Sequence, residues 1–209
     1  MTKPVDEFPS LLVVMALPAE AQGVFEQAEI DVLYTGLGKV NAAMALMRRL
    51  AAYRHAGVKE PVVVNFGSAG SRRYQTGALV SCTAFVQRDM DVSALGFAQG
   101  VTPFEEWPAK LAAANVFGDL PAATCGSGDS FETGETKVAC DVVDMEAYAL
   151  AKVCHVEGVQ FACAKFVSDG ADHAAAEDWQ NNAHKAADEF LRLYYVLQGA
   201  LQTVVESGA

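Results

Sequence analysis

The stretch Pro61-Val62-Val63-Val64-Asn65-Phe66-Gly67-Ser68-Ala69-Gly70 decides how this chain folds. A proline opens a buried strand, Val62–Phe66, which ends at Gly-Ser-Ala-Gly. A strand that alternates apolar and polar residues has one wet face, whereas one that is apolar throughout is covered on both faces, as in a parallel sheet. Leu11–Met15 is such a continuous apolar run, and Ala78–Gln87 and Phe161–Val167 read as further strands. Between them lie helical patterns: a short helix over Ala19–Gln27, another over Val40–Arg54, one over Val143–Val156 closed by Gly158, and a long terminal one over Ala183–Val205. In Val40–Arg54 the residues Val40, Ala43, Met44, Met47, Leu50 and Ala51 share a face, with Arg48, Arg49 and Arg54 outside it. Strands alternating with helices predict an α/β three-layer sandwich around a mostly parallel or mixed central sheet. Residues 88–135, rich in Gly, Pro and short polar clusters, read as long functional loops.

The composition narrows the function. The chain has 209 residues, 52% of them hydrophobic and 20% charged, enough apolar material for one packed domain over residues 11–209. The polar start, residues 1–10, reads as a short disordered lead-in rather than a signal peptide. No apolar run approaches the roughly 18 residues that a membrane-spanning helix needs, so no membrane partner is expected. The net charge of −11, with basic pairs only at Arg48-Arg49 and Arg72-Arg73, argues against a nucleic-acid partner, which would need a basic stripe. Five cysteines without metal-ligand spacing read as free thiols of a cytoplasmic protein, with neither metal nor cofactor expected.

Several polar residues fall just beyond strands, where open α/β sheets build their pockets. Glu20 follows the first strand, Ser68 sits in the Gly-Ser-Ala-Gly stretch, and Asp169 follows the Phe161 strand. Asp144 and Glu146 flank Met145 at the start of a helix. Each has a plain structural account. Glu20 suits the first turn of a helix, where an acid complements the dipole. Asp144 suits an N-cap, and Gly67–Gly70 suits a tight turn. Together, however, they gather carboxylates at one end of the sheet.

Seven segments, in order, carry a resemblance: Met-Ala-Leu-Pro-Ala-Glu (15–20), Thr-Gly-Leu-Gly-Lys-Val (35–40), Phe-Gly-Ser-Ala-Gly (66–70), Asp-Met-Asp-Val-Ser-Ala-Leu-Gly-Phe (89–97), Ser-Gly-Asp-Ser-Phe (127–131), Val-Asp-Met-Glu-Ala (143–147) and Val-Ser-Asp-Gly-Ala-Asp (167–172). From about Leu11 to Leu197 the chain resembles the 5′-methylthioadenosine/S-adenosylhomocysteine nucleosidases of the nucleoside phosphorylase superfamily. The resemblance implies a nucleoside phosphorylase-like fold, no cofactor, a homodimer, and hydrolysis of the N-glycosidic bond of a purine nucleoside. It implies that Asp169 protonates N7 of the purine, Glu20 activates water, and Glu146 holds the ribose hydroxyls. Met145 would pack under the sugar, Ser68 would lie near the ribose, Phe131 would stack on the base, and Trp179 would close the far side. Asp144, Ser168 and Glu132 complete the expected substrate contacts.

The chemistry needs these residue types. A purine anion leaves poorly, so its N7 must be protonated by a carboxyl whose pKa is lifted towards neutrality by burial or neighbouring acids. The sugar turns cationic as the base leaves, which a nearby carboxylate favours. One protonated and one ionised carboxyl is the general glycosidase arrangement. Related phosphorylases carry Gly-x-Pro-x-Arg after the first strand, but here the place reads Ala16-Leu17-Pro18-Ala19-Glu20, an acid where phosphate would be repelled. The alternatives are phosphorolysis, for which Arg72 and Arg73 are candidates, and nucleoside binding without catalysis. The chain departs from the pattern in a trimmed segment between Glu26 and Tyr34, in Asp144 where Glu is usual, in Lys165 where Arg is frequent, and in Glu132, whose carboxylate could accept from a 6-oxopurine N1–H or an exocyclic amine or could face solvent.

Overall fold

A computed structural model describes residues 10–207; the expected lead-in therefore lies outside the described residues, apart from Ser10. The chain begins with β1 (Leu11–Met15), two single-turn helices α1 (Pro18–Ala21) and α2 (Val24–Gln27), β2 (Val32–Tyr34) and α3 (Lys39–His55). It continues through β3 (Val62–Gly70), β4 (Leu79–Gln87), β5 (Lys110–Ala112), β6 (Ala122–Ser127) and β7 (Val142–Asp144). It closes with α4 (Ala147–Glu157), β8 (Phe161–Asp169), α5 (Ala175–Asn182) and α6 (Ala187–Ser207).

These strands form one mixed sheet. β1 lies between β2 and β3, parallel to both, and β3 pairs in parallel with β8 over most of their length. β8 runs antiparallel to β4, which pairs in parallel with β6 and antiparallel with β5; β7 is parallel to β6. The sheet curls enough for the last residue of β3, Gly70, to pair with Val143 of β7. Strand side chains alternate between faces, so Val13 and Met15 join one layer with Phe25 of α2 and Phe190, Leu193 and Leu197 of α6. Leu12 and Val14 join the other, against Ala42, Leu46 and Leu50 of α3 and Leu150 of α4. Phe66 anchors the first layer, stacked on Phe190 with ring centroids 5.1 Å apart. The expected α/β layering is thus present, with parallel pairings in the majority.

Four boundaries differ from expectation. The helix expected over Ala19–Gln27 breaks where Gln22 and Gly23 both take left-handed backbone, which turns the chain away after Glu20. The Gly67–Gly70 stretch, expected as a turn, continues β3, because β8 pairs with it throughout, with a one-residue slip between Ala69 and Gly70. The helix expected from Val143 starts only at Ala147, since Val142–Asp144 are drawn into the sheet beside β6. The terminal helix starts at Ala187, after α5 and a 3₁₀ turn at Ala183–Ala186. Strands β5 and β6 lay hidden in the region expected as loops; β6, Ala-Ala-Thr-Cys-Gly-Ser, has little β propensity and forms because β4 and β7 flank it. Among the described residues no helix is long and apolar enough to cross a membrane.

Candidate active site

The ends of β1, β3, β7 and β8, the loop after β6 and the helix α5 surround a cavity of about 270 Å³. Its lining includes Glu20, Ser68, Phe131, Glu132, Asp144, Met145, Glu146, Asp169 and Trp179, nine of the ten residues expected from sequence. The tenth, Ser168, is fully buried behind Asp169 and touches the cavity only through it. Ser168 is thus placed as a support of Asp169, at the irregularity where β8 slips one residue against β3.

Glu20 reaches the site because Pro18 opens α1 at its first position, where a fixed φ and missing N–H cost nothing. Glu20 Oε2 accepts from the Leu17 N–H at 3.2 Å, and Oε1 accepts from both the Ser68 N–H at 2.8 Å and the Ser68 hydroxyl at 2.9 Å. Gly67 leaves the room: a Cβ there would stand 3.1 Å from Glu20 Oε1 and 3.2 Å from Lys165 Nζ. Across the site, Asp169 Oδ2 accepts from Ser168 Oγ at 2.8 Å and Oδ1 accepts from the Ala171 N–H at 3.0 Å. Ala171 holds left-handed backbone, φ 49°, to direct that N–H inward, a strained choice for a residue with a Cβ. Gly70 is required here too, since a Cβ would come within 2.5 Å of Asp169 Oδ1. Burial pushes the Asp169 carboxyl above its ordinary value; the Ser168 and Ala171 hydrogen bonds oppose this without cancelling it, and Asp178 and Asp172 add to it.

Lys165, only 2% exposed, ties the floor together. Its Nζ lies 2.9 Å from Asp144 Oδ2, which also accepts from the Ala147 N–H at 2.9 Å, while Asp144 Oδ1 accepts from Ser127 Oγ at 2.5 Å. Burial alone would lift Asp144, but Lys165 and these donors hold it below the usual carboxylate range. Burial likewise opposes charge on Lys165, and Asp144 above all keeps it well above the ordinary lysine value. The Asp144 carboxylate is thus bonded to the protein through both of its oxygens. Two residues on, Glu146 Oε1 accepts from the Gly38 N–H at 2.8 Å. Burial and then the charge of Asp144 push Glu146 up to about 7, against the pull of Lys165 and Gly38.

The remaining wall is the loop after β6, and it contains a residue that the sequence did not flag. Arg88, at the end of β4, has a side chain 4% exposed. One terminal nitrogen donates to Ser130 Oγ at 3.1 Å and Glu132 Oε2 at 2.9 Å; the other donates to the carbonyls of Gly128 and Ser130. Glu132 Oε1 also accepts from the Gly134 N–H at 3.1 Å. The Glu132 carboxylate therefore faces the cavity while paired to Arg88, and Phe131, 46% exposed, stands at the rim. Lys165 had a signal, a charge inside an apolar strand; Arg88 had none, because its partners lie some 40 residues away. Arg72 and Arg73, the candidates for phosphate, lie outside this cavity, and Arg73 pairs with Asp141. Among the described residues no His, Cys, Asp or Glu group is arranged to hold a metal ion. One carboxyl raised by burial and another lined with N–H and O–H donors, on one cavity, can give a proton and take one.

Comparison with known proteins identifies the family. The family described as Phosphorylase superfamily matches residues 21–198. A 5′-methylthioadenosine/S-adenosylhomocysteine nucleosidase of Anoxybacillus flavithermus is 32% identical over 191 residues, covering 79% of this chain and 78% of the relative. The like-named protein of Actinobacillus succinogenes is 31% identical over 179 residues, 76% of each. Among solved structures, the Helicobacter pylori 5′-methylthioadenosine/S-adenosylhomocysteine nucleosidase complexed with a substituted pyrrolidin-3-ol superposes with a TM-score of 0.75 at 21% identity, covering 96% of this chain and 99% of that one. A Helicobacter pylori futalosine hydrolase gives 0.76 at 20% identity, covering 97% and 100%. The last two establish likeness of fold.

Two measurements check the electrostatics. Removing one partner of a buried ion pair costs roughly 3–5 kcal/mol because the other charge is stranded. Asp144→Asn should lose stability on that scale in urea unfolding, and adding Lys165→Met should recover much of the loss. If the double variant is no more stable than the single, the pair is not what holds the floor. Glu146 supplies the pH dependence. Its folded value of about 7 exceeds its ordinary 4.5, so between these values the folded state keeps a proton that the unfolded chain has released. That contribution is fully present below about 4.5 and is lost as pH rises through about 7. The urea midpoint of the wild type should therefore fall relative to that of Glu146→Gln as pH rises through this window; a constant difference would refute the assignment.

Proposed function

The chain belongs to the 5′-methylthioadenosine/S-adenosylhomocysteine nucleosidase family within the phosphorylase superfamily, and on that premise we propose a division of labour among Asp169, Glu20 and Glu146 in cutting a purine nucleoside with water. The enzyme is a purine nucleosidase that hydrolyses the N-glycosidic bond. The relatives at 30–32% identity carry the names of methylthioadenosine and S-adenosylhomocysteine, which supports these as its substrates.

Protonated Asp169 gives its proton to N7 of the purine as the bond between the base nitrogen and the anomeric carbon breaks. The bonding electrons leave with the base, and the ribose becomes an oxocarbenium-like cation. A water oxygen bonds to the anomeric carbon and its proton passes to Glu20. Products are the free base and the free sugar; Asp169 ends ionised and Glu20 protonated, so a return of the proton through solvent resets the site. Glu146, once ionised, accepts from the ribose hydroxyls and offsets the developing positive charge. Met145 lies under the sugar and Phe131 against the base. The observation that carries this reading is the pairing of environments in one cavity: burial raises Asp169, while Glu20 accepts from three donors, the Leu17 N–H and the Ser68 N–H and hydroxyl. Water rather than phosphate fits the attacking side. The cation there, Lys165, is paired with Asp144, and Arg88 is occupied by the base-side loop.

We further propose a cytoplasmic homodimer. Val40 and Met44 on α3, and Leu95 and Phe104 in the segment after β4, are large apolar residues in solvent, Phe104 being 93% exposed. Leu37, half exposed beside them in sequence, also lines the cavity. A second copy covering this surface would help to close the site, and light scattering at the mass of one chain alone would exclude it.

A nucleoside panel assayed for free base tests the reaction. Methylthioadenosine should yield adenine at a rate independent of added phosphate; a strict phosphate requirement would overturn hydrolysis. General acid catalysis is worth about 10²–10⁴-fold, so Asp169→Asn should lower kcat at least a hundredfold in a protein that still folds and binds adenine. Full activity in that variant would remove Asp169 from the mechanism.

A further inference from the structure

Trp179 does more in this cavity than present an aromatic face. Its indole Nε1 lies 2.9 Å from Ser68 Oγ, and Ser68 Oγ lies 2.9 Å from Glu20 Oε1. An indole N–H can only donate, a hydroxyl has one proton, and a carboxylate can only accept. The direction of the chain of bonds is therefore fixed: Trp179 donates to Ser68, and Ser68 must spend its proton on Glu20. Without the indole, the Ser68 hydroxyl would be free to rotate towards other acceptors. With it, Glu20 Oε1 is held by two donors from one residue, the Ser68 N–H and O–H, and the carboxylate plane is set. Oε2 keeps a single partner, the Leu17 N–H at 3.2 Å, and so retains the acceptor capacity that an incoming water needs.

The helix carrying Trp179 also grips the opposite side of the site. Asn182, three residues on and so on the same face of α5, donates from Nδ2 to the Ser168 carbonyl at 2.9 Å, next to Asp169. Ser168 in turn donates to Asp169 Oδ2. One helix face therefore touches the supports of both carboxyls that exchange protons with the substrate and water.

We propose that Trp179 is a positioning residue, which acts through Ser68 to orient Glu20 so that its Oε2 receives the water proton, and that α5 brackets base and acid in register through Trp179 and Asn182. The proposal rests on Glu20 being the base. Orientation is one component of the ~10²–10⁴-fold available from a positioned general base, so its loss costs on the order of tenfold.

The test is kinetic, on methylthioadenosine hydrolysis by the full chain. Trp179→Phe keeps an aromatic ring and removes only the donor. It should lower kcat on the order of tenfold with KM changed less than about twofold, since the ring still closes the cavity. Ser68→Ala should lower kcat at least as much, and the double variant should be no worse than Ser68→Ala, because Trp179 works only through that hydroxyl. Unchanged kcat in Trp179→Phe, a loss confined to KM, or losses that multiply in the double variant would each overturn the relay. Glu20→Gln separates the two levels. If it retains full activity, the base assignment fails; if it abolishes hydrolysis while Trp179→Phe is normal, only the relay fails. Unfolding midpoints of all four variants identify any that have lost the fold, and Asn182→Ala gives a second route to the bracket, with an expected fall in kcat rather than in substrate affinity.

Discussion

The buried ion pair between Lys165 and Asp144 is the interaction on which the site depends. A lysine in the middle of an apolar strand is expensive, because its ammonium leaves water and must be repaid by an excellent partner. Asp144 supplies that partner at 2.9 Å and is itself satisfied by Ser127 and the Ala147 N–H. One pair thereby joins β8, β6, β7 and the start of α4. Met145 and Glu146 sit between the pinned Asp144 and the pinned helix start, so their places are set by a contact to which they do not contribute. A hydrophobic substitute of similar volume would avoid that desolvation, but it would leave the Asp144 carboxylate without its buried cation.

The second constraint is steric. β3 ends in four small residues because two acids and a lysine lean against it. Gly67 gives way to Glu20 and Lys165, and Gly70 gives way to Asp169. The same residues still pair with β8, so the strand keeps its backbone bonds while giving up side-chain volume. The cost is entropic, since glycine loses more freedom on folding than other residues. The return is that the cavity's carboxyls pack against a rigid strand rather than a loop, with errors of position kept small.

Charge then divides the roles. Four carboxyls, Glu20, Asp144, Glu146 and Asp169, share this small volume with one lysine, so they cannot all be ionised at equal cost. Asp144 takes the lysine. Asp169 is raised by burial, and Glu146 is raised to about 7 by burial and by Asp144. A cavity with surplus negative charge disfavours ionising every member, and burial tilts Asp169 and Glu146 towards the protonated form. The acidity of the whole chain, −11, plays no part in this; the local arrangement does.

The sequence by itself determined the layered α/β fold, because a strand covered on both faces is mostly apolar: Leu11–Met15 is so throughout, and Val62–Phe66 and Phe161–Val167 each carry a single polar residue, Asn65 and Lys165. It also named most of the cavity, because acids just beyond buried strands stand out against their neighbours and the ordered motifs tie them to a family. It did not place β5, β6 and β7, whose short runs form only when neighbours supply their hydrogen bonds. It did not place Ser168 behind Asp169, nor pair Asp144 with Lys165, since which oxygen faces which donor depends on strand register and on a lysine 21 residues away. Arg88 and the bond from Trp179 to Ser68 joined the site only through the tertiary structure, for a hydrogen bond between residues 111 positions apart leaves no local period for a sequence to carry.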